Sequence, residues 1–143
     1  MANTFKLEVI TASELFYSGE IEMVVVRTLL GEEGFMAGHS WACKLLDTGV
    51  MRIQESEEKD VKWAAISKGY IDVKDYVVVY TDLAERAEDI DVEDAEKDKA
   101  EAESYISINE SNCNTDADVE KLAQARAKLK WAEARLKVAE SLK

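Results

Sequence analysis

Residues 76–100, YVVVYTDLAERAEDIDVEDAEKDKA, change their repeat part-way through. Up to Thr81 the run is aromatic and β-branched, which suits a pleated surface. From Asp91 onward alanine recurs among charged residues, and no glycine follows Gly69. Asp91 is a residue type that caps helix N-termini, and Asp94 stands three positions on, where a capping box usually has Glu or Gln. This stretch therefore joins a sheet to helices.

Upstream of it, period two dominates. Phe5, Leu7 and Val9 alternate with Lys6, Glu8 and Ile10, and further strands are predicted over 21–28, 50–54, 61–67, 70–73 and 76–81. All six glycines punctuate these runs. Many short strands with frequent turns and no long helix between them point to a sandwich or flattened barrel. Residues 21–30, IEMVVVRTLL, are continuously apolar at their centre, as a strand covered on both faces would be. Trp63, in VKWAAIS, is predicted to lie in the core, and residues 57–60 to form a solvated hairpin tip.

Downstream, the first helix is predicted from 92 to 105 or 108, ending before the polar breaker 109–115 with its three asparagines. Asp116 or Thr115 then caps a second helix reaching Ser141, about 39 Å long at 1.5 Å per residue. Leu122, Ala125, Leu129, Ala132, Leu136 and Ala139 form an apolar seam along it, suited to an antiparallel helical hairpin. Alanine at alternate seam positions contributes little area, so the hairpin is expected to pair yet dock weakly. Residues 85–110 carry eleven acids against three bases, whereas 116–143 carry seven bases against five acids. Lys121, Arg126, Lys128, Lys130, Arg135 and Lys137 fall off the seam, ready to pair with the acidic first helix or with an acidic surface elsewhere. Trp131, beside the seam, faces either the hairpin or a partner.

The chemistry-bearing residues are few. The stretch GEEGFMAGH, residues 31–39, is not a G-x-G-x-x-G fingerprint and lacks a following Gly-Lys-Ser/Thr, and Glu32 and Glu33 would repel phosphate. Its glycines are expected to supply turn geometry. His39 is the only histidine, so no catalytic site, histidine-based zinc cluster or cofactor is expected. Cys43 and Cys113 lack ligand spacing and are expected as free thiols. A net charge of −12 opposes general nucleic-acid binding, and no run approaches the roughly 18–20 apolar residues of a membrane span. The opening MANTFKLEVIT lacks the apolar run of a signal peptide, so a cytosolic setting is expected. Binding or structural work remains. On these residues alone, a generic β-domain adaptor with a helical arm is one reading.

A second reading comes from landmarks in order: FKLEVIT, FYSGEIEMVVV, G-E-x-G-x-x-x-G-H over 31–39, LLDTGVMRI, ISKGYIDV and TDLAERAEDID, followed by a helical hairpin. In this succession the chain resembles, over its whole length, the epsilon subunit of bacterial and chloroplast F-type ATP synthases. The resemblance implies a ten-stranded β-sandwich over 1–86 that binds the gamma subunit and the c ring, and a two-helix regulatory arm over 87–143. It implies a non-catalytic rotor subunit coupling ion flow to ATP synthesis. Such a subunit is peripheral to the membrane, on the cytoplasmic face in bacteria or the stromal side of the thylakoid in plastids. Glu32, His39 and Trp41 map to the surface facing the c ring. The basic residues of the second helix map to the family's arm, which can extend to the alpha/beta catalytic head and restrain ATP hydrolysis. Two departures stand out. Ala37 and Trp41 replace the prolines that usually flank the Gly-His pair. At the start of the first helix, members that bind ATP have Ile/Leu-Asp-x-x-Arg-Ala, whereas this chain has Ile90-Asp91-Val92-Glu93-Asp94-Ala95. A carboxylate in the arginine's place reverses the attraction for a triphosphate, so no useful ATP binding is expected.

Overall fold

Alternate burial sends Phe5, Leu7 and Val9 of β1 (Phe5–Ile10) inward, and the same period organises nine further strands in a computed structural model that describes residues 3–142. They are β2 (Leu15–Ile21), β3 (Met23–Thr28), β4 (Gly31–Met36), β5 (Ala42–Leu46), β6 (Gly49–Gln54), β7 (Lys62–Ile66), β8 (Gly69–Val73), β9 (Val77–Thr81) and β10 (Ala84–Arg86). A 3-10 turn over Ala87–Asp89 leads to α1 (Val92–Asn109) and α2 (Asp116–Glu140). Strands run in the order β10-β7-β6-β3-β5-β8-β9-β1-β2, with β4 paired to β3. All pairings are antiparallel except β1 with β9.

The sheet folds into a nearly barrel-like sandwich of two leaves. β4, β3, β6, β7 and β10 form one, and β5, β8, β9, β1 and β2 form the other. The single pair Thr28 with Leu46 carries the hydrogen-bond path from leaf to leaf. On the far side the edges are tied by side chains. The Arg86 guanidinium donates to the Phe16 carbonyl, and the Tyr17 hydroxyl donates to Glu55 Oε2 at 2.7 Å. Leu7, Val9, Ile21, Val24, Val26, Phe35, Met51, Ile66, Ile71 and Val79 fill the space between.

The Tyr17–Glu55 tie gives stability a pH dependence. The Tyr17 hydroxyl, helped by Lys62 Nζ at 3.2 Å from Oε1, holds the Glu55 carboxyl below its ordinary value. A depressed carboxylate stabilises the fold above its unfolded pKa of about 4.3 and loses that contribution as pH falls through the folded value. Glu55→Gln is therefore expected to lower the urea midpoint at pH 7, and the gap from wild type should close below about pH 4. A gap that stays constant from pH 7 to pH 3 would count against the tie.

Several predicted elements are corrected. The glycine-rich stretch is mostly strand β4: Gly31 and Gly38 have φ of 117° and 82° and turn the chain at its ends, but Gly34 is paired with Val25 within the strand. Strands β2, β5 and β10 lie outside the predicted runs. Trp63 is half-buried on the outer face of β7, not in the sandwich core. Its neighbours Ala64 and Ile66 point inward, and Arg52 stacks over its ring at 5.6 Å. Both helix caps form as read, with Asp91 accepting from the Asp94 amide and Thr115 from the Asp118 amide.

Helix α2 is the one that packs on β6 and β7. The junction is small: Val50, Ala65, Ala87, Ala134 and Val138 are buried there, with Trp63, Ile90 and Trp131 packed around them. Two stripes thus run along α2. The predicted seam holds α1, with Leu122 and Ala132 buried, and a second stripe of Trp131, Ala134 and Val138 holds the sheet.

Candidate functional site

β4 is an edge strand, bonded to β3 alone, and its charges and glycine blunt it against strand addition. The two glutamates at its start behave differently. Glu33 is turned back onto Lys44, whose Nζ donates to Oε1 at 2.5 Å and holds the carboxyl below its ordinary value. Glu32 is exposed, with only a loose approach of 3.8 Å from Arg52. At the other end of β4 the His39 ring tilts against Phe35, centroids 4.8 Å apart, and its Nδ1 lies 2.7 Å from the Ser40 carbonyl, which fixes Nδ1 as the donor. Trp41 is 67 % exposed. Glu32 and His39 therefore lie at opposite ends of β4, and a surface using both must run the length of the strand. Between β3 and β4 the tip presents Leu29 and Leu30, the latter 91 % exposed, a feature hidden in the sequence by its place in an apolar run.

The basic helix is less free than its sequence suggests. Lys128 Nζ bonds Glu101 at 3.1 Å and approaches Asp98, Lys130 bonds Asp47 in the β5–β6 turn at 3.2 Å, and Arg126 lies 3.5 Å from Glu110. Lys121 and Lys137 are exposed on the same helix. Arg135 does pair with the acidic first helix, but not on an exposed face. It is buried, with Nε donating to Glu85 Oε1 at 2.7 Å and Nη1 to Asp94 Oδ2 at 3.1 Å. Period alone placed it off the seam, but the second stripe runs past it. The departure at Asp94 is thus occupied by an arginine from the other helix.

Sequence reasoning missed one further surface. Pairing aligns Leu45 with Tyr70, Tyr70 with Tyr80, Tyr80 with Ile10 and Ile10 with Leu15, an apolar row across five strands of the leaf opposite the helices. The Tyr70 and Tyr80 rings stack at 4.6 Å, and Leu45 and Leu15 are 62 % and 55 % exposed. The signal was Ile10, which breaks the Lys6, Glu8 alternation on the outward face.

The family model described as ATP synthase, Delta/Epsilon chain, beta-sandwich domain matches residues 4–88. The ATP synthase epsilon chain of Alkaliphilus oremlandii is 40 % identical over 98 residues, which is 68 % of this chain and 72 % of that one. This chain belongs to the ATP synthase epsilon-chain family. The epsilon chain of Alkaliphilus metalliredigens is 41 % identical over 98 residues, covering the same shares. A chain in the cryo-EM structure of the Euglena gracilis mitochondrial ATP synthase, containing OSCP, F1 and c-ring, aligns over 96 % of this chain and 81 % of its own, at TM-score 0.77 and 25 % identity. The family model covers the sandwich, the relatives align over 98 residues, and the structural match takes in 96 % of the chain. For an epsilon-family chain, the free Cys43 and Cys113 are both available thiols, the first exposed on β5 and the second half-buried between the helices.

Proposed function

We propose that this chain is a non-catalytic central-stalk subunit of an F-type ATP synthase, coupling ion translocation to ATP synthesis by joining the gamma subunit to the c ring. The observation that carries the reading is the end-to-end structural match to a chain of an assembly containing F1 and c-ring. Nothing favours the generic adaptor. Residues 1–86 form the rotor-binding sandwich and 87–143 the regulatory arm. The apolar row from Leu45 to Leu15 is the seat for gamma. It lies on the leaf the helices leave open and is flanked by Glu8, Ser18 and Asp72 as a polar rim. The β4 edge, with Glu32 at one end and His39 and Trp41 at the other, faces the c ring. Glu32 is the charged contact because Glu33 is already held by Lys44. The chain is peripheral, on the cytoplasmic face of a bacterial membrane or the stromal side of a thylakoid; among the described residues no helix is long and apolar enough to cross a bilayer.

Reconstitution tests this. A synthase assembled without the chain is expected to hydrolyse ATP without pumping ions, and adding the chain should restore pumping. Failure of the purified chain to associate with gamma or the ring would overturn the proposal. Lys121, Arg126, Lys128, Lys130 and Lys137 form the arm's basic face toward the catalytic head, whereas Arg135, assigned to that face by sequence, is turned inward onto Glu85 and Asp94. Reversing the first four to glutamate is expected to raise ATP hydrolysis at least twofold with the subunit still bound. Unchanged hydrolysis would remove the inhibitory role and leave the rotor role standing.

A further inference from the structure

The arm's attachment to the sheet poses a physical problem. Its apolar junction consists of three alanines and two valines with aromatic neighbours, so little area holds a 25-residue helix in place. The pairs formed by Lys130, Lys128 and Arg126 are exposed and screened by salt, and pairs of that kind contribute little.

Arg135 differs from all of them. Its side chain is 7 % exposed, and its guanidinium meets three carboxylates from two elements: Glu85 on β10 at 2.7 Å, and on α1 Asp94 in the first turn at 3.1 Å and Asp98 one turn further at 3.9 Å. A buried cation with partners already in place is costly to strip of any one of them, and three carboxylates left facing each other without it would repel.

We propose that Arg135 is the latch that seats the helical arm on the sandwich, with Glu85 as its one carboxylate partner on the sheet among the described residues. The division of partners sets how the latch opens. Two of the three carboxylates are on α1, so the guanidinium can leave Glu85 and remain paired. The arm then departs as an intact helical pair, resisted by the small junction with its packed Trp63, Ile90 and Trp131 and by the exposed Lys130–Asp47 pair. Loss of Asp94 and Asp98 instead loosens α1 from α2 and leaves α2 on the sheet. Lys128 shares Asp98 with Arg135, which ties the helix pair together at a second point. The latch deepens the reading of residues 87–143 as a movable arm but rests on contacts within the chain, whatever the arm does when free.

The chain contains its own reporters. Cys43 on β5 and Cys113 between the helices are its only cysteines, so spin labels on both read the sheet-to-arm distance by pulsed dipolar spectroscopy without added cysteines. Wild type is expected to give one narrow distance. Glu85→Gln and Arg135→Gln should each move at least half of the molecules into a broad, longer distribution, whereas Lys130→Gln, which removes an exposed pair, keeps the wild-type distance. Near-UV circular dichroism confirms the folded sandwich in each variant. If Arg135→Gln fails to fold, Glu85→Gln decides, because it leaves the guanidinium paired with α1. Wild-type distances in Glu85→Gln, or equal release by Lys130→Gln, would overturn the latch. Either result leaves the placement of the chain in the rotor untouched.

Discussion

Gly69→Ala is expected to unfold at a much lower urea concentration than wild type, with about 3 kcal/mol or more of stability lost. Gly69 opens β8 and is paired with both Leu46 and Thr81. A Cβ there would stand 1.8 Å from the Tyr80 carbonyl oxygen, 2.8 Å from its carbon and 2.9 Å from the Thr81 Cα. All three are backbone atoms, so no side chain can swing aside; β9 itself must move. That strand places Val79 in the core and pairs in parallel with β1, so the displacement reaches the centre of the second leaf. It also pulls on a buried knot: the Thr81 hydroxyl donates to the Ser67 carbonyl at 2.9 Å, and the Leu83 amide donates to the Ser67 hydroxyl at 2.9 Å. Overpacking against fixed atoms and unmade buried hydrogen bonds act together here.

Gly34→Ala is the control. Its Cβ would lie 3.6 Å from the Met23 sulfur and 3.7 Å from a Val25 methyl, which is ordinary contact, in a strand conformation any residue adopts. Its stability should stay within about 1 kcal/mol of wild type, since a less flexible unfolded chain offsets small crowding. Denaturation curves with unchanged slopes would measure both. A Gly69→Ala midpoint matching that of Gly34→Ala would show that β8 and β9 are not locked as described.

Local physics explains what was legible. The helix ends were readable because Asp91 and Thr115 act through their own neighbours, Asp94 and Asp118, three residues away. The core face of β1 was readable because alternation is a property of one strand. Pairing across strands was not. Nothing near Leu45 says that it will lie beside Tyr70, or Tyr80 beside Ile10, since those neighbours are fixed by register between distant segments. Likewise, Arg135 appeared as one more base on a polar face until Glu85, fifty residues upstream, arrived beside it. Edge strand β4 was obscured because its two glutamates and two glycines resemble a loop, the same composition that protects an exposed edge from further pairing.

Tyr70→Glu and Leu45→Glu are each expected to weaken association with the gamma subunit at least 100-fold, about 2.7 kcal/mol or more in binding free energy, while the free chain keeps its stability. Both side chains are exposed, so a charge there is solvated in the free protein. In the proposed complex the same carboxylate would be buried among Tyr80, Ile10 and Leu15 with no cation among those row neighbours, and an unpaired buried charge costs several kcal/mol. The row meets an open sheet edge only at β2, because β5 pairs onward to β3. Leu15→Glu, at its far end on β2, is expected to cost less, as rim positions do. Leu30→Glu, at the exposed tip between β3 and β4, lies outside the row and should leave gamma binding unchanged. Titration calorimetry with isolated gamma separates these outcomes. Equal losses at Leu30 and Tyr70 would move the seat toward the β4 edge. No loss at Tyr70 would assign the open leaf to some other neighbour, because an apolar row of five residues left uncovered in the assembly would remain a site for unwanted association.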